Sequence, residues 1–254
     1  MKISACLITL NEESNLERCL KSLHALVDEI VVVDSGSTDR TPAIAAHYQA
    51  RFFPQPWLGF VGQKNRALEL AQYPWVLSID ADEELSPGLQ AEILAVKNAP
   101  STESSTIAGF SMPRCVQYEG RWIRHGDWYP DRLTRLFRKQ NARFVGAKVH
   151  ERLELPGSIH PFSSDLWHFS FADRADHWRR CEKYARLWAE SQHETGRHAS
   201  ALAPWSHAAF RWFRGYILKR GFLDGPQGWH IAKVCAAEVH LKYSLLRQLN
   251  TRSP

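Results

Sequence analysis

The chain has 254 residues and a mass of 29.1 kDa, which suits one large domain or a domain with an appendage. Hydrophobic residues make up 44% and charged residues 23%, proportions that exclude a disordered chain and supply enough material for a core. Mean hydropathy is −0.38 and no run of about 18 uncharged apolar residues occurs, so no membrane-spanning helix is predicted. The apolar start of the chain is too short for a signal peptide, and we interpret it as a first strand.

Positive charge is concentrated at the C-terminal end of the chain. The whole sequence has a formal net charge of +5, but residues 205–254 alone hold eight basic and two acidic residues, a net +6. Such asymmetry predicts that this end meets an acidic polymer or a membrane surface. A nucleic-acid partner is not expected, because the rest of the chain is not basic and contains no known binding motif.

The five cysteines are widely spaced and odd in number, and no CxxC pair occurs among them. This pattern favours reduced thiols of a cytosolic protein over a disulfide framework or a zinc ribbon. We therefore expect several of these cysteines in the core.

Short strands and helices alternate over the first hundred residues. Apolar or β-branched runs predict strands at residues 3–8, 30–33 and 75–79. Thr41 offers an N-cap ahead of Pro42, Pro87 opens another helix, and apolar spacing predicts helices at residues 16–23, 43–48 and 68–71. The alternation predicts an α/β fold with a mainly parallel central sheet and helices on both faces.

The pattern changes beyond a polar loop at residues 98–106. Strand-like runs follow at residues 109–116, 133–137 and 149–155. From Asp173 onward, apolar stripes predict helices that include residues 178–188, 205–216 and 232–246. We therefore predict an α/β domain over residues 1–172 and a helical, basic and aromatic C-terminal extension over residues 173–254.

Two carboxylates, Asp80 and Asp82, directly follow the strand predicted at residues 75–79. Ligands of open parallel sheets bind at the carboxyl ends of the strands. Carboxylate oxygens suit Mg²⁺ or Mn²⁺, and such an ion can neutralise a departing diphosphate. We interpret the Asp-x-Asp pair as a metal and nucleotide site; the alternative is a solvated turn.

Three further polar segments follow strands or open a helix. The first is Asp34-Ser35-Gly36-Ser37-Thr38-Asp39, whose small residues would let the backbone approach a nucleotide. The alternative is a turn in which Asp39 or Thr41 caps a helix. Residues 9–13 occupy the same position behind the first strand. In residues 63–67, Lys64 or Arg66 is suited to pair with phosphate, unless the segment is a solvated helix start.

These four segments, in this order and spacing, closely resemble the family 2 glycosyltransferases over roughly residues 1–100. Residues 34–39 together with residues 79–83 are most similar to the bacterial lipopolysaccharide inner-core β-1,4-glucosyltransferase group. The resemblance implies a nucleotide-sugar-binding fold of the GT-A type and a metal-dependent, inverting hexosyl transfer. Ser35 departs from this pattern, because many relatives have Asp there.

The resemblance also implies roles for individual residues. Contacts to the donor nucleoside fall on Thr9, Asn11, Glu13, Asp34 and Asp39. Lys64 would lie near the base or diphosphate, Asp80 near the ribose or the sugar as part of the catalytic centre, and Asp82 on the metal. The implied donor is a UDP-hexose, with glucose as the hexose, and the implied cofactor is Mg²⁺ or Mn²⁺.

An inverting transferase needs a base that takes the proton of the acceptor hydroxyl. We expect Glu151, which follows the strand-like Val149, to be this base, since a Val-His-Glu segment also looks like the glucosyltransferase group. The alternative is a surface carboxylate paired with Arg152. His150 and His168 are candidates for a further metal or diphosphate contact, although a lone histidine is more often structural.

Arg132 and Arg135 flank another strand-like run. Arginine is suited to bidentate contact with phosphate groups, and we assign Arg135 to the donor. Contact with a phosphate on the acceptor and a solvated strand face are the alternatives for this pair.

The C-terminal region mixes six aromatic residues between Trp205 and Phe222 with basic residues that include Arg211, Arg214, Lys219 and Arg220. Such a face suits a membrane interface with anionic headgroups; the alternative is packing on the catalytic body. We therefore expect a cytoplasmic enzyme, bound peripherally to the inner face of the cytoplasmic membrane, that glycosylates a lipid-linked lipopolysaccharide core. Other polysaccharide, lipid-linked or protein acceptors and a non-catalytic membrane-associated scaffold are the alternatives.

Overall fold

The computed structural model of the chain describes residues 1–99, 106–147 and 150–252. Contacts between residues divide the chain into two compact units. One comprises Met1–Arg114 with Asp131–His168, and the other Cys115–Pro130 with Phe169–Pro254. The domain division predicted between residues 172 and 173 stays a prediction.

The first unit alternates strands and helices through its N-terminal half: β1 (Ile3–Thr9), α1 (Leu16–Leu23), β2 (Glu29–Asp34), α2 (Thr41–His47), β3 (Arg51–Pro54), α3 (Gly59–Leu70), β4 (Trp75–Ser78), β5 (Glu83–Leu85) and α4 (Pro87–Asn98). Next come β6 (Ile107–Tyr118), which continues into the second unit, and β7 (Arg121–Ile123), which belongs to the second unit. The first unit then ends in strands: β8 (Asp131–Arg138), β9 (Arg143–Ala147), β10 (His150–Glu154), β11 (Ser158–Pro161) and β12 (Leu166–His168).

A central sheet with the strand order β3-β2-β1-β4-β8-β6-β12-β5 organises the first unit. The strands β3, β2, β1 and β4 run parallel, and β8 joins β4 antiparallel. The carboxyl ends of β1, β2 and β4 therefore meet at one edge, where these strands end in Thr9, Asp34 and Ser78. The predicted α/β architecture with a mainly parallel central sheet is confirmed.

Three of the four helices described in the first unit form close to where the sequence pattern predicts them. The prediction for α3, residues 68–71, was too short: this helix begins at Gly59, and its buried face includes the polar Gln63 and Lys64, which apolar spacing does not reveal. In α1 the apolar residues Leu16, Cys19, Leu20 and Leu23 recur at helical spacing and are fully buried. Burying one such leucine contributes about 1.5–3 kcal/mol relative to leaving it exposed. The start of α4 is fixed by Ser86, whose hydroxyl accepts the Leu89 N–H at 3.2 Å.

The second unit contains α5 (Arg174–Glu194), α6 (Ala203–Phe213) and α7 (Gly225–Arg252), with a π-helical turn at Arg214–Leu218 and 3₁₀ turns at Gly126–Trp128 and Gly221–Asp224. The α5 helix begins as predicted, because the Asp173 carboxylate accepts the Asp176 N–H at 2.7 Å. Its buried face runs through His177, Cys181, Ala185 and Ala189. The predicted stripe through residues 178 and 188 was therefore wrong by one residue at each end.

His177 is buried beneath aromatic side chains of the second unit. It is 2% exposed, and its Nδ1 lies 3.0 Å from the Tyr118 hydroxyl. The rings of Trp128 and Phe171 pack against it. Burial lowers the pKa of His177 to about 4, and the nearby His230 acts in the same direction, so His177 is neutral at pH 7.

The free energy of unfolding is expected to fall on acidification because of His177. Its pKa is about 4 in the folded chain and about 6.5 when unfolded, so between these values the unfolded chain binds more protons. From about pH 7 to about pH 4.5 the loss is about 2–3 kcal/mol, and it is absent above about pH 7. Urea unfolding at both pH values checks this. His177→Gln should show that much less acid destabilisation, and an unchanged pH dependence in this variant would contradict the assignment.

All five cysteines are buried free thiols. Across residues 1–99, 106–147 and 150–252, no helix combines the length and apolarity needed to cross a membrane.

Candidate active site

The loops that follow β1 and β2 are held together by the buried carboxylate of Asp34. Its Oδ1 accepts hydrogen bonds from Thr9 Oγ1 at 2.8 Å and Ser37 Oγ at 2.5 Å. Its Oδ2 accepts the N–H groups of Gly36 at 2.9 Å and Ser37 at 2.7 Å. Both oxygens serve the loop itself, so Asp34 shapes this loop, and a direct contact from Asp34 to a nucleoside stays a prediction.

Asn11 and Glu13 join the same two loops at the exposed rim. Asn11 Oδ1 accepts the Thr38 N–H at 2.9 Å, and Glu13 Oε2 accepts the Arg40 N–H at 3.0 Å. In return, Asp39 Oδ2 accepts the Glu13 N–H at 3.0 Å. The structure therefore brings together all five residues predicted to contact the nucleoside: Thr9, Asn11, Glu13, Asp34 and Asp39.

Asp80 lies in a network of alternating charges at the end of β4. Its Oδ1 is 3.3 Å from Lys64 Nζ, and its Oδ2 accepts from Arg135 Nη2 at 2.6 Å. The fully buried Glu83 accepts from the same Arg135 nitrogen at 2.5 Å and from the Asp80 N–H at 3.0 Å. Burial would raise the pKa of Asp80, but Arg135 and Lys64 outweigh it and hold that pKa well below its usual range. Asp80 is therefore a charged carboxylate at neutral pH.

A β-bulge aims Arg135 into this network. In the pairing of β6 with β8, Phe110 lies opposite Leu136 and Ser111 opposite Thr134, so the register skips Arg135. Residues three apart in a regular strand point to opposite faces, and one extra residue restores them to the same face. Arg132 and Arg135 consequently line the same cleft.

Asp82 and His168 form a pair that suits a metal ion. The antiparallel pairing of β5 with β12 sets His168 opposite Glu83, and His168 Nε2 lies 3.2 Å from Asp82 Oδ2. The two side chains are hydrogen-bonded in the structure, and their oxygen and nitrogen atoms are close enough to be neighbouring ligands of one divalent ion. Among the described residues no group of three or more His, Cys, Asp or Glu side chains makes a complete metal site. Asp82 and His168 are therefore the two candidate metal ligands that the described part of the chain brings together.

His150 is the other candidate metal ligand. The backbone of His150 begins β10, but its side chain, like residues 148 and 149, lies outside the described part of the chain. Its predicted contact with the metal or diphosphate stays a prediction.

Glu151 lies on β10 and faces a cleft of about 470 Å³. Its Oε1 accepts from Lys64 Nζ at 3.1 Å, and its Oε2 has no hydrogen bond to any described residue. Lys64, only 7% exposed, therefore bridges Glu151 to Asp80. Arg152 instead pairs with Glu154 at 3.1 Å, so the alternative interpretation of Glu151 as a partner of Arg152 is wrong. The cleft is lined by Lys64, Asp80, Arg114, Arg132, Leu133, Thr134, Arg135, Phe144, Glu151, Arg152, Leu153, Leu155 and Ile159.

The structure also shows residues of this region that the sequence did not single out. Glu83 fixes Arg135 and Asp80, although its position in the Asp-x-Asp-Glu segment is the only sequence signal for it. Burial and the nearby Asp82 raise the pKa of Glu12 in the loop behind β1. Gln63 is fully buried and donates to Ser35 Oγ at 2.8 Å, so α3 supports the loop behind β2.

Arg66, the alternative to Lys64 as a phosphate ligand, lies apart from the cleft. It is 43% exposed and pairs with Glu69 at 3.1 Å, one helical turn further along α3. Lys64 is the residue of this helix that reaches the charged network. The geometry therefore favours Lys64 over Arg66.

Comparisons with known proteins agree on the family. The family model "Glycosyl transferase family 2" matches residues 4–153. An uncharacterized glycosyltransferase of Rickettsia felis is 30% identical over 97% of this chain and 90% of its own length. The lipopolysaccharide core biosynthesis glycosyltransferase LpsC of Rhizobium meliloti is 32% identical over 98% of this chain and 96% of its own.

One solved structure with a lower likeness is glucosyl-3-phosphoglycerate synthase from Mycobacterium tuberculosis in complex with Mn²⁺, UDP and glucosyl-3-phosphoglycerate. It is 26% identical over 47% of this chain and 44% of that chain, with a TM-score of 0.34. The family is shown by the family model, which covers more than half of the chain, and by relatives that match nearly the whole chain. The chain belongs to glycosyl transferase family 2 and is a glycosyltransferase with a GT-A fold, as the resemblance predicted.

Proposed function

We propose that this glycosyltransferase moves a hexose, glucose by its subgroup resemblance, from a UDP-sugar to a lipopolysaccharide core acceptor, with inversion. The observation that carries the proposal is the Lys64 bridge, which sets Glu151 and Asp80 on one cleft at 3.1 and 3.3 Å from the same ammonium. The similarity to LpsC over nearly the whole chain supports the lipopolysaccharide core as acceptor.

Glu151 would act as the base. The acceptor hydroxyl attacks the anomeric carbon as the bond from that carbon to the diphosphate oxygen breaks, and the hydroxyl proton passes to Glu151. Oε2 is the oxygen suited to this task, because Oε1 already accepts from Lys64. A direct displacement of this kind needs no covalent intermediate and inverts the anomeric carbon.

Asp82 and His168 would hold a divalent ion, Mg²⁺ or Mn²⁺, whose chemistry is to neutralise the departing diphosphate. Arg135 and Lys64 would orient Asp80 against the sugar or ribose, since both cations contact its carboxylate. The loops around Asp34 would receive the nucleoside at the neighbouring strand ends.

A donor panel tests the proposed reaction. The protein would be incubated with Mn²⁺, a set of nucleotide sugars and a lipid oligosaccharide truncated in its inner core, and the acceptor followed by mass spectrometry. We expect one added hexose, with UDP-glucose the best donor. Addition from another sugar, or only to a different polysaccharide or protein acceptor, would correct the donor or acceptor, and no binding or hydrolysis of any nucleotide sugar would favour the non-catalytic scaffold.

We further propose that the second unit binds an anionic membrane surface peripherally, on the cytoplasmic side. Large apolar side chains are exposed from the residue before α6 to the turns that follow it, including Leu202 at 75%, Phe210 at 59% and Leu218 at 59%. Contiguous exposed apolar surface beside Lys and Arg suits a lipid interface. Arg220 and Lys233 are exposed cations that form no ion pair with described residues.

Three of the four predicted basic residues have an internal partner. Arg211, Arg214 and Lys219 contact Asp127, which is 6% exposed, at 2.7, 2.9 and 3.1 Å. Burial would raise the pKa of Asp127, but these cations outweigh it and lower that pKa. Removing them would leave a buried carboxylate unpaired, at a cost of about 3–5 kcal/mol, so they are poor probes of membrane contact.

Cosedimentation with vesicles of anionic lipid should therefore be weakened by a different set of changes: Phe210→Ser, Leu218→Ser, Arg220→Gln and Lys233→Gln. Each cation near an anionic surface contributes about 1 kcal/mol and is screened by salt, so wild-type binding should also fall at high salt. Leu94→Ser, at an apolar residue of the first unit that is 45% exposed, is the matched control. Binding that is absent at low salt, or unchanged in the fourfold variant, would contradict membrane contact.

A further inference from the structure

Five cations line the cleft beside Glu151, and four of them already have carboxylate partners. The paired ones lie between 2.5 and 3.3 Å from these partners: Lys64 on Asp80 and Glu151, Arg135 on Asp80 and Glu83, Arg114 on Asp131, and Arg152 on Glu154. The charges of these four are therefore compensated within the chain. The fifth cation is Arg132.

The contacts of Arg132 orient its guanidinium without neutralising it. Nη1 and Nη2 both donate to the Phe162 carbonyl at 3.1 Å, and Nη1 reaches the Ser111 carbonyl at 3.5 Å. Arg132 forms no ion pair with a described carboxylate. Glu92 feels its charge through space, but the Glu92 carboxylate accepts the N–H groups of Ser163 and Ser164 at 3.0 and 2.8 Å.

The position of Arg132 along β8 separates it from the charges around Asp80. The bulge at Arg135 turns both arginines to the same cleft, and the partner strand advances by about two residues between them, so their backbones are roughly 7 Å apart. Arg135 is occupied by Asp80 and Glu83 at one end. Arg132 thus presents an oriented positive charge at the other end, about one to two sugar rings from the reacting centre.

We infer that Arg132 binds an anionic group of the acceptor, a phosphate or a carboxylate carried on a sugar near the one that receives the hexose. This inference rests on the proposed transfer function and names the charge of its acceptor. A guanidinium whose partners are carbonyls keeps its charge for a ligand, and its planar fork matches the two oxygens of such a group. Arg132 is in this sense a specificity-determining residue.

The test combines Arg132→Gln with changes in the acceptor. The probes are a core-truncated lipid oligosaccharide, the same material after removal of its phosphates, and the same material after reduction of its carboxylates to alcohols. A charged hydrogen-bonded pair is worth about 10–100-fold in affinity, so Arg132→Gln should raise the acceptor KM on the intact probe by that factor, with a smaller effect on the donor KM. On the probe that lacks the recognised group, wild-type and Arg132→Gln should have the same, raised KM. The probe on which they converge identifies phosphate or carboxylate as the source.

Two further variants complete the design. Arg132→Lys keeps the positive charge and should recover part of the affinity for the intact probe, and Arg66→Gln, at a paired surface arginine outside the cleft, should match wild type. An equal ratio of variant to wild-type KM on all three probes would overturn the inference while leaving the proposed function intact. If Arg132→Gln does not fold, the acceptor KM of the wild-type protein still tests the inference. Equal acceptor KM values on the three probes would overturn it. Failure of the wild-type protein to glycosylate any probe would contradict the proposed function and this inference together.

Discussion

Replacing Glu151 by Gln is expected to slow sugar transfer at saturating substrates by about 10²–10⁴-fold, the usual cost of losing a general base. Gln keeps the size of Glu and still offers Lys64 an oxygen in place of Oε1, which lies 3.1 Å from its ammonium, so the local structure should persist. It cannot take up the proton of the acceptor hydroxyl. Steady-state measurement of kcat and of the donor KM checks this, with the donor KM expected to change only a few-fold.

Glu154→Gln is the matched control for this experiment. Glu154 lies on the same strand, is 55% exposed and pairs with Arg152, and it does not line the cleft. Its substitution should leave kcat at the wild-type value. If Glu151→Gln kept a normal kcat and lost donor affinity instead, Glu151 would be a donor ligand and the base would lie elsewhere.

The second large effect is expected for Asp82→Ala, which should lower the transfer rate by at least about 10²-fold and weaken Mn²⁺ binding. A metal that neutralises the leaving group supplies several kcal/mol of transition-state stabilisation, and about 1.4 kcal/mol corresponds to a factor of ten. The fold should survive, because the Asp82 side chain is 28% exposed and its contact with His168, at 3.2 Å, lies outside the apolar core. Kinetics with and without chelator, together with Mn²⁺ binding measured by electron paramagnetic resonance, check both parts.

Glu84→Ala serves as the comparison for Asp82→Ala. Glu84 lies two residues further along the same segment, near Arg18 at 3.8 Å, and should bind neither metal nor donor. The proposed metal role of Asp82 is wrong if Asp82→Ala transfers sugar at nearly the wild-type rate, with or without chelator.

Local sequence patterns predicted those elements whose limits depend on local interactions. The bounds of α1 followed from the apolar spacing of Leu16 to Leu23, and α4 begins at Pro87 because Ser86 caps it. Thr41 was predicted as an N-cap but is the first residue of α2. The reason is tertiary, since Thr41 Oγ1 accepts the Glu12 N–H at 2.8 Å, from a loop 29 residues away in sequence.

One part of the candidate site was predictable because the carboxyl ends of parallel strands meet at the same edge of a sheet. That rule brought the loops behind β1, β2 and β4 together, and the structure agrees. It could not predict the bulge at Arg135, because a bulge depends on the register between β6 and β8. Nor could it predict that Lys64 bridges Asp80 to Glu151, a contact between residues 87 positions apart.

The basic residues of the C-terminal region that remain free for a partner could not be predicted from their number. The net +6 of residues 205–254 is correct as a sum, but it does not show which charges are paired. Asp127 lies outside that window in sequence and pairs with Arg211, Arg214 and Lys219, so its single negative charge offsets part of their positive charge and ties all three side chains to the protein. The burial of His177 was not predicted either, because the apolar stripe of this helix was placed on the neighbouring Trp178.

The stereochemistry of the product tests the proposed reaction most directly. UDP-glucose, whose glucosyl bond is α, would be incubated with the protein, a divalent metal and the core-truncated lipid oligosaccharide, and the anomeric proton coupling of the added sugar would be measured by nuclear magnetic resonance. Direct displacement with Glu151 as base predicts one added glucose in a β linkage. An α-linked glucose, or an acceptor that gains no sugar from any nucleotide donor, would contradict the proposal.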